Sequence, residues 1–129
     1  MTLLRVDVGF VSADRTLVDF LARVFELPEL PSITLEPGTV CRLQAPASVV
    51  KVMLPAEAPA PPVAASPFYA LAGLRYLTLW VDDLEGVIAR AIGEGGRIER
   101  GPVELVPGVR IAVLEDPQGN AIEVAQQVG

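Results

Sequence analysis

The chain has 129 residues, of which 51% are hydrophobic and 20% are charged, and it carries a formal net charge of -6 at pH 7. This size suits one domain, and folding would bury roughly two-thirds of the surface that the unfolded chain exposes. The negative charge argues against nucleic acid or an anionic membrane as the main partner, because both require a concentrated positive surface. The sequence contains no histidine, so imidazole cannot serve as base, proton shuttle or metal ligand.

The apolar runs are too short to span a bilayer, and Met1 to Leu4 lead directly into the charged Arg5 and Asp7 without a secretory signal pattern. We therefore expect a cytoplasmic protein with no membrane partner. Cys41 is the only cysteine, which excludes an internal disulfide or a cysteine cluster for zinc. Its place in an alternating apolar run predicts a buried structural thiol.

The first half of the chain predicts a strand, a helix and three further strands. Apolar residues alternate with Arg5, Asp7 and Gly9 over residues 4–10, which is the two-residue period of a strand. The apolar residues between Leu17 and Val24 then follow helical spacing. Three short runs rich in strand-forming residues, separated by proline-containing turns, complete the half: 32–36, 38–45 and 48–54.

Residues 55–67, PAEAPAPPVAASP, divide the chain into two nearly equal halves. Prolines fix backbone angles and remove hydrogen-bond donors, so this segment is predicted to be an extended strap.

After the strap the same order of elements returns. Residues 74–81 predict a strand, and a helix begins at Asp82 or Asp83, either of which can cap its free amides, and ends at Gly95-Gly96. Three more strands are predicted at 97–106, 109–115 and 121–127. Each half is therefore a β-α-β-β-β unit, and the chain contains an internal repeat.

This pattern predicts an α+β protein with two βαβββ modules in tandem, whose curved sheets surround a cleft. A single module covers one face of its sheet with its helix, and the other face needs a partner. We expect one domain over residues 1–129, composed of module one at 1–54, the strap at 55–67 and module two at 68–129.

Four features resemble the C-terminal module of the vicinal oxygen chelate superfamily, which includes glyoxalase I, extradiol dioxygenases and bleomycin-resistance proteins. They are the run YLTLWVDDL at 76–84, the helix ending at Gly95, Gly101-Pro102 and the run EDPQGNAIE at 115–123. Residues 19–27, DFLARVFEL, are similar to that family's first helix. The resemblance covers nearly the whole chain outside the strap.

The resemblance implies a metal ligand early in the first strand of each module and another, usually glutamate, on each final strand. Counting back five residues from Val81 and from Val11 gives Tyr76 and Val6, and the final strands supply Glu123 and Lys51. Valine cannot ligate, an ammonium repels a cation and a neutral phenol binds divalent metals poorly. With Glu123 alone remaining, we expect no metal and no other cofactor.

If Val6 and Tyr76 face the cleft, the strand period adds Val8 and Phe10 on one side and Thr78 and Trp80 on the other. The resulting wall is apolar and aromatic, with a hydroxyl group.

The charged residues of the expected site allow two arrangements. Lys51 and Glu123 form an ion pair within reach of the Tyr76 hydroxyl, or Lys51 points to solvent and side chains fill the cleft. Asp7 falls on the strand face opposite Val6, and a register slip of one residue would bring it into the cleft as a substitute ligand.

Three functions remain open. The first is a metal-free protein that binds a small organic molecule in the cleft. The second is an enzyme of the lyase or isomerase type, in which Glu123 acts as acid or base beside Tyr76 or Lys51. The third is a degenerate module for protein interaction or dimerisation. We expect a homodimer, because the family pairs its modules within or between chains and the strap is long enough for either.

Overall fold

One order of elements occurs twice in the computed structural model, which describes residues 1–63 and 65–129. Two compact units are present, Met1–Pro61 and Pro62–Gly129. The boundary lies inside the predicted strap, of which Ala64 falls outside the described residues. Within the described part of the chain, no helix is long and apolar enough to cross a membrane.

Module one folds into a four-stranded sheet and one helix. Its elements are β1 (Val8–Val11), α1 (Thr16–Val24), β2 (Glu29–Leu35), β3 (Gly38–Gln44) and β4 (Val49–Pro55). The strand order is β1-β4-β3-β2, with β1 parallel to β4 and the other pairs antiparallel.

Module two repeats this arrangement after a short 3₁₀ turn at Phe68–Ala70. Its elements are β5 (Tyr76–Trp80), α2 (Leu84–Gly93), β6 (Arg97–Val106), β7 (Val109–Glu115) and β8 (Ala121–Gln127). The strand order β5-β8-β7-β6 again joins the first and last strands in parallel. Both modules thus have the predicted βαβββ layout.

Each helix covers one face of its own sheet. In module one, α1 buries five apolar side chains, and the sheet contributes further fully or almost fully buried residues: Cys41, Leu43, Val50 and Val52. The buried Cys41 agrees with its predicted structural role. Complete burial of one such aliphatic side chain contributes on the order of 1.5–3 kcal/mol, so these helix and sheet contacts form the core of the module.

The start of α2 is tied to the last strand of its sheet. Asp83 accepts a hydrogen bond from the Gly86 amide at 3.1 Å, as expected of an N-cap residue. The Gln126 side chain accepts from the Leu84 amide at 2.8 Å and donates to the Asp82 carbonyl at 3.0 Å. Gln126 therefore marks the face of β8 that looks toward α2.

β1 and β2 differ most from their predicted bounds, β5 is shorter at both ends, and β3 and β4 differ by one residue. β1 begins at Val8 because its parallel partner β4 begins at Val49, and Val8 is the first residue that finds a partner, at Val50. Leu4 and Val6, which were predicted to lie in the strand, remain largely exposed. β2 begins at Glu29 and includes Pro31, which an edge strand tolerates at an irregularity in its pairing.

Candidate functional site

The face of the module-two sheet opposite α2 carries a polar pair between two aromatic side chains. We call it the distal face of module two; on β5 and β8 it comprises Tyr76, Thr78, Trp80, Ala121, Glu123 and Ala125. Along β5 the exposed residues Tyr76, Thr78 and Trp80 alternate with half-buried leucines. Thr78 pairs with Glu123 across the parallel ladder, so both side chains project to the same side. The structure thus places four of the predicted site residues on one face of the module-two sheet: Tyr76, Thr78, Trp80 and Glu123.

A charge-assisted hydrogen bond links the centre of this face. The Thr78 hydroxyl Oγ1 donates to Glu123 Oε1 at 2.8 Å. Within the described part of module two, no lysine or arginine lies within salt-bridge distance of Glu123. Glu123 is therefore a half-buried carboxylate fixed by a neutral donor. The predicted pair between Lys51 and Glu123 joins the two modules and stays a prediction.

The aromatic side chains of the distal face are only partly covered. Trp80 is 62% exposed and Tyr76 is 47% exposed. The Tyr76 ring meets Phe68 edge to face, with 5.1 Å between centroids and an interplanar angle of 71°. This contact covers part of the Tyr76 ring, and the rest of the ring stays exposed.

Sequence reasoning missed two residues, Phe68 beside Tyr76 and Glu99 beside Phe68. The Phe68 amide donates to Glu99 Oε1 at 2.8 Å, and Glu99 Oε2 is buried with no hydrogen-bond partner among the described residues. Glu99 lies where the pairing of β6 with β7 shifts, between Ile98 and Arg100. The alternation of residues along the strand could not predict which face of the sheet carries Glu99, because a bulge interrupts the two-residue period. Phe68 directly follows the predicted strap, and nothing in its local pattern marked it.

In module one the structure corrects the expected facing of Val8 and Phe10. Val8 pairs with Val50 and Phe10 with Val52, and both partners are buried on the face that α1 covers. Val8 and Phe10 therefore belong to the core side of the sheet. The prediction was wrong because it counted Val6 as a residue of β1, whereas Val6 precedes the strand and is 67% exposed.

Asp7 and Lys51 occupy the opposite side of the module-one sheet. Lys51 pairs with Gly9, so its side chain projects away from α1. Its Nζ lies 3.8 Å from Asp7 Oδ2, which also accepts from Arg5 at 3.0 Å. Asp7 Oδ1 accepts from the Val49 amide at 2.8 Å. This backbone hydrogen bond, with help from Arg5, lowers the pKa of Asp7 below its ordinary value.

The two ladders identify which positions of the repeat correspond. The Gly9–Lys51 pair of module one matches the Thr78–Glu123 pair of module two. Two residues earlier on each first strand, the counterpart of Tyr76 is Asp7 and not Val6. The prediction counted five residues back from Val11 and from Val81. β1 ends at Val11 but β5 ends at Trp80, one residue before Val81, so the count in module one stopped one residue too early, at Val6.

The run at residues 116–120 forms a closed turn. Asp116 Oδ1 accepts from the Gln118 and Asn120 amides at 2.8 and 3.0 Å, and Oδ2 accepts from Asn120 Nδ2 at 2.8 Å. Burial raises the pKa of Asp116 above its ordinary value, although the Asn120 hydrogen bonds oppose this. The carboxylate is thereby used in holding the turn between β7 and β8.

A family model described as the Glyoxalase/Bleomycin resistance protein/Dioxygenase superfamily matches residues 10–124. The chain belongs to this superfamily. Among curated proteins, none matches the sequence significantly.

Solved structures of the glyoxalase family share this fold. A glyoxalase family protein from Bacillus cereus is 20% identical, with a TM-score of 0.76 over 100% of this chain and 97% of that chain. One from Enterococcus faecalis is 21% identical, with a TM-score of 0.69 and 96% of each chain covered. TioX from Micromonospora sp. ML1 is 22% identical, with a TM-score of 0.66 over 99% of this chain and 100% of that chain. Identities this low establish the fold alone.

The donors at the superfamily's expected ligand positions do not fit a divalent metal. The corrected positions hold Asp7 and Lys51 in module one and Tyr76 and Glu123 in module two. Asp7 is already engaged by Arg5 and a backbone amide, an ammonium repels a cation and a neutral phenol is a poor ligand. The described residues contain no group of three or more histidine, cysteine, aspartate or glutamate side chains that could hold a metal ion.

Proposed function

We propose that this member of the glyoxalase/bleomycin-resistance superfamily is a metal-free binding protein that holds an apolar or aromatic organic molecule against the distal face of module two. The observation that carries the proposal is the pair of exposed aromatic side chains, Tyr76 and Trp80, on either side of the Thr78–Glu123 hydrogen bond. Aromatic surface supplies affinity through stacking and apolar burial, and a few placed polar groups orient the ligand.

The sheet itself favours a flat occupant at this place. The residues of β8 that pair with Tyr76 and Trp80 are Ala121 and Ala125, which have small side chains. A planar molecule lying between the rings would contact both aromatic side chains and present one polar group to Glu123 or Thr78.

The proposal is tested by titrating neutral aromatic compounds while the fluorescence of Trp80, the only tryptophan, is recorded. Compounds that bind should change this emission, and Trp80→Phe should remove the signal. Tyr76→Ala should raise Kd roughly fivefold to tenfold, which is the effect of losing one aromatic contact. The matched control is Tyr69→Ala, because Tyr69 is the chain's other tyrosine and is 69% exposed outside the sheet.

Two outcomes would contradict the proposal. One is a ligand whose affinity is unchanged by Tyr76→Ala and lowered by Tyr69→Ala, which would place binding elsewhere. The other is a ligand whose binding disappears after treatment with a chelator and returns with a divalent metal, which would show that binding requires a metal.

A second candidate function is acid-base catalysis by Glu123, and one observation favours it. The carboxylate is half-buried, and among the described residues of module two its Oε1 accepts from Thr78 while neither oxygen forms an ion pair. A carboxylate in this setting can take a proton from a bound molecule. Turnover of a bound compound that Glu123→Gln abolishes without changing its Kd would select this function over simple binding.

A further inference from the structure

Module two contains an open cavity of about 390 Å³ beside the Tyr76–Trp80 surface, with which it shares Ala121. Described residues between Pro62 and Arg75 form one side of it, and the turn before β8, with the first residue of β8, forms the other. The lining residues are Pro62, Val63, Ala65, Phe68, Leu71, Leu74, Arg75, Gly119, Asn120 and Ala121. Its volume falls within the roughly 300–1,000 Å³ of small-molecule pockets.

Most of the wall is apolar and insufficiently covered by the protein itself. Val63 is 77% exposed, Leu74 is 87% exposed and Leu71 is 38% exposed. Apolar side chains that converge on a cavity and remain in contact with water gain free energy when an apolar molecule covers them. The body of the occupant is therefore expected to be a hydrocarbon chain or ring.

Arg75 is the one ionisable side chain in this lining. Its Nε and one terminal nitrogen donate to the Ala72 carbonyl at 3.1 and 2.8 Å, which fixes the plane of the guanidinium. Across the described residues, Arg75 makes no salt bridge with a carboxylate. Because a guanidinium has five N–H donors, donors remain for a second acceptor.

The remaining polar side chain of the lining is already occupied by the adjoining turn. Asn120 donates from its amide nitrogen and from Nδ2 to Asp116, whose side chain is buried. The charge that the cavity offers to a ligand is therefore the positive charge of Arg75. A planar guanidinium recognises a carboxylate with two parallel hydrogen bonds.

We infer that this cavity binds an amphiphilic monocarboxylate, with the apolar body against Val63, Leu71 and Leu74 and the carboxylate on Arg75. The chain as a whole carries a charge of -6 and repels anions. A preference for an anion must therefore arise locally. The cavity adjoins the proposed binding surface, because Ala121 of the distal face and Phe68, which contacts Tyr76, line it. The inference is tested separately from the proposed function, since Trp80 and Glu123 do not line the cavity.

The test measures binding of sodium octanoate to the full chain by calorimetry, with 1-octanol as the neutral probe of equal chain length. Octanoate should bind about tenfold or more tightly than octanol, as expected for a charge-assisted pair. Arg75→Gln should abolish this preference and leave octanol binding unchanged. Leu74→Ala should weaken both probes, because it removes part of the shared wall.

The matched control is Arg110→Gln, which removes the same charge from the opposite side of the sheet, where Arg110 contacts Glu85 of α2. This variant should keep the preference for octanoate. The inference is overturned if the wild-type protein binds neither probe, if it binds octanoate and octanol equally, or if Arg75→Gln retains the preference. Trp80→Phe should leave octanoate affinity unchanged. A negative result for octanoate would therefore refute the cavity inference and leave the proposed binding at the distal face untouched.

Discussion

Asp7 shows that a shift of one residue in strand register changes which side chains share a face of the sheet. The alternation along residues 4–10 correctly predicted a strand. Which face of the sheet Val6, Val8 and Phe10 occupy, however, depended on where that strand begins. The ladder between β1 and β4 places Val8 and Phe10 on the core side and Lys51 on the other. Asp7, considered only as the result of a register slip, lies beside Lys51 and is the true counterpart of Tyr76. Its role as a metal ligand stays untested.

The contacts of Asp7 give a prediction about pH. Its pKa is lowered in the folded state, chiefly by the Val49 amide and also by Arg5, so it stabilises the fold above its unfolded pKa. That contribution is lost as the pH falls through the lower folded value. We therefore expect acidification from neutral pH to below about pH 4 to reduce the unfolding free energy of the wild type more than that of Asp7→Asn.

The measurement is urea unfolding of both proteins across this pH range. Glu57→Gln, at an exposed carboxyl of the strap, serves as the control for the loss of one charge. Parallel pH profiles for wild type and Asp7→Asn would contradict the assignment of this contribution to Asp7.

At the scale of elements, local sequence signals worked best where turns are sharp. The bounds of β6, β7 and β8 agree with the predicted 97–106, 109–115 and 121–127, because Pro107-Gly108 and the Asp116 turn end the strands by local chemistry. β1 and β2 were misplaced at their starts, since strand ends without a turn signal depend on the partner strand. The sequence did not predict the bulges of β6 either, because they depend on how β6 pairs with β7.

Gly101 supports one of these bulges and yields a prediction about stability. Its φ of +83° is strained for other residues, and a Cβ would lie 2.7 Å from the Ile111 carbonyl oxygen. We expect Gly101→Ala to lower the unfolding free energy by about 1–3 kcal/mol, measured by chemical denaturation.

Gly93 is the matched control for this substitution. It lies at the end of α2, and a Cβ there would meet nothing within 4 Å. Gly93→Ala should raise stability by up to about 1 kcal/mol, because alanine is the better helix former. Equal effects of the two substitutions would refute the steric argument for Gly101.

At the scale of the whole molecule, the repeat and the superfamily were visible in the sequence, whereas the oligomeric state was only an expectation. Large apolar side chains remain exposed on the strands, among them Val11 at 60%, Leu105 at 55% and Leu35 at 50%. Monomeric proteins seldom leave extensive apolar surface uncovered. The homodimer stays a prediction, and these residues are where it can be tested.

We expect light scattering after size-exclusion chromatography to give twice the chain mass of 13.7 kDa. Leu105→Glu should shift the protein toward monomer, because a buried unpaired charge is costly at an interface. The control is Leu3→Glu, at an N-terminal residue that is 73% exposed before the first strand. A mass of one chain at every concentration would exclude the homodimer.

The sequence by itself determined the tandem βαβββ repeat, the order of its elements, the superfamily and the absence of histidine chemistry. These properties depend on local periodicity, turn residues and composition, which each segment carries alone. Only the tertiary structure decided that Asp7 lies beside Lys51, that Phe68 packs against Tyr76 while its amide binds Glu99, and that Arg75 lines an apolar cavity. Those facts depend on which strands pair, in which register, and on where a strap without periodicity comes to lie, and such long-range contacts leave no local pattern.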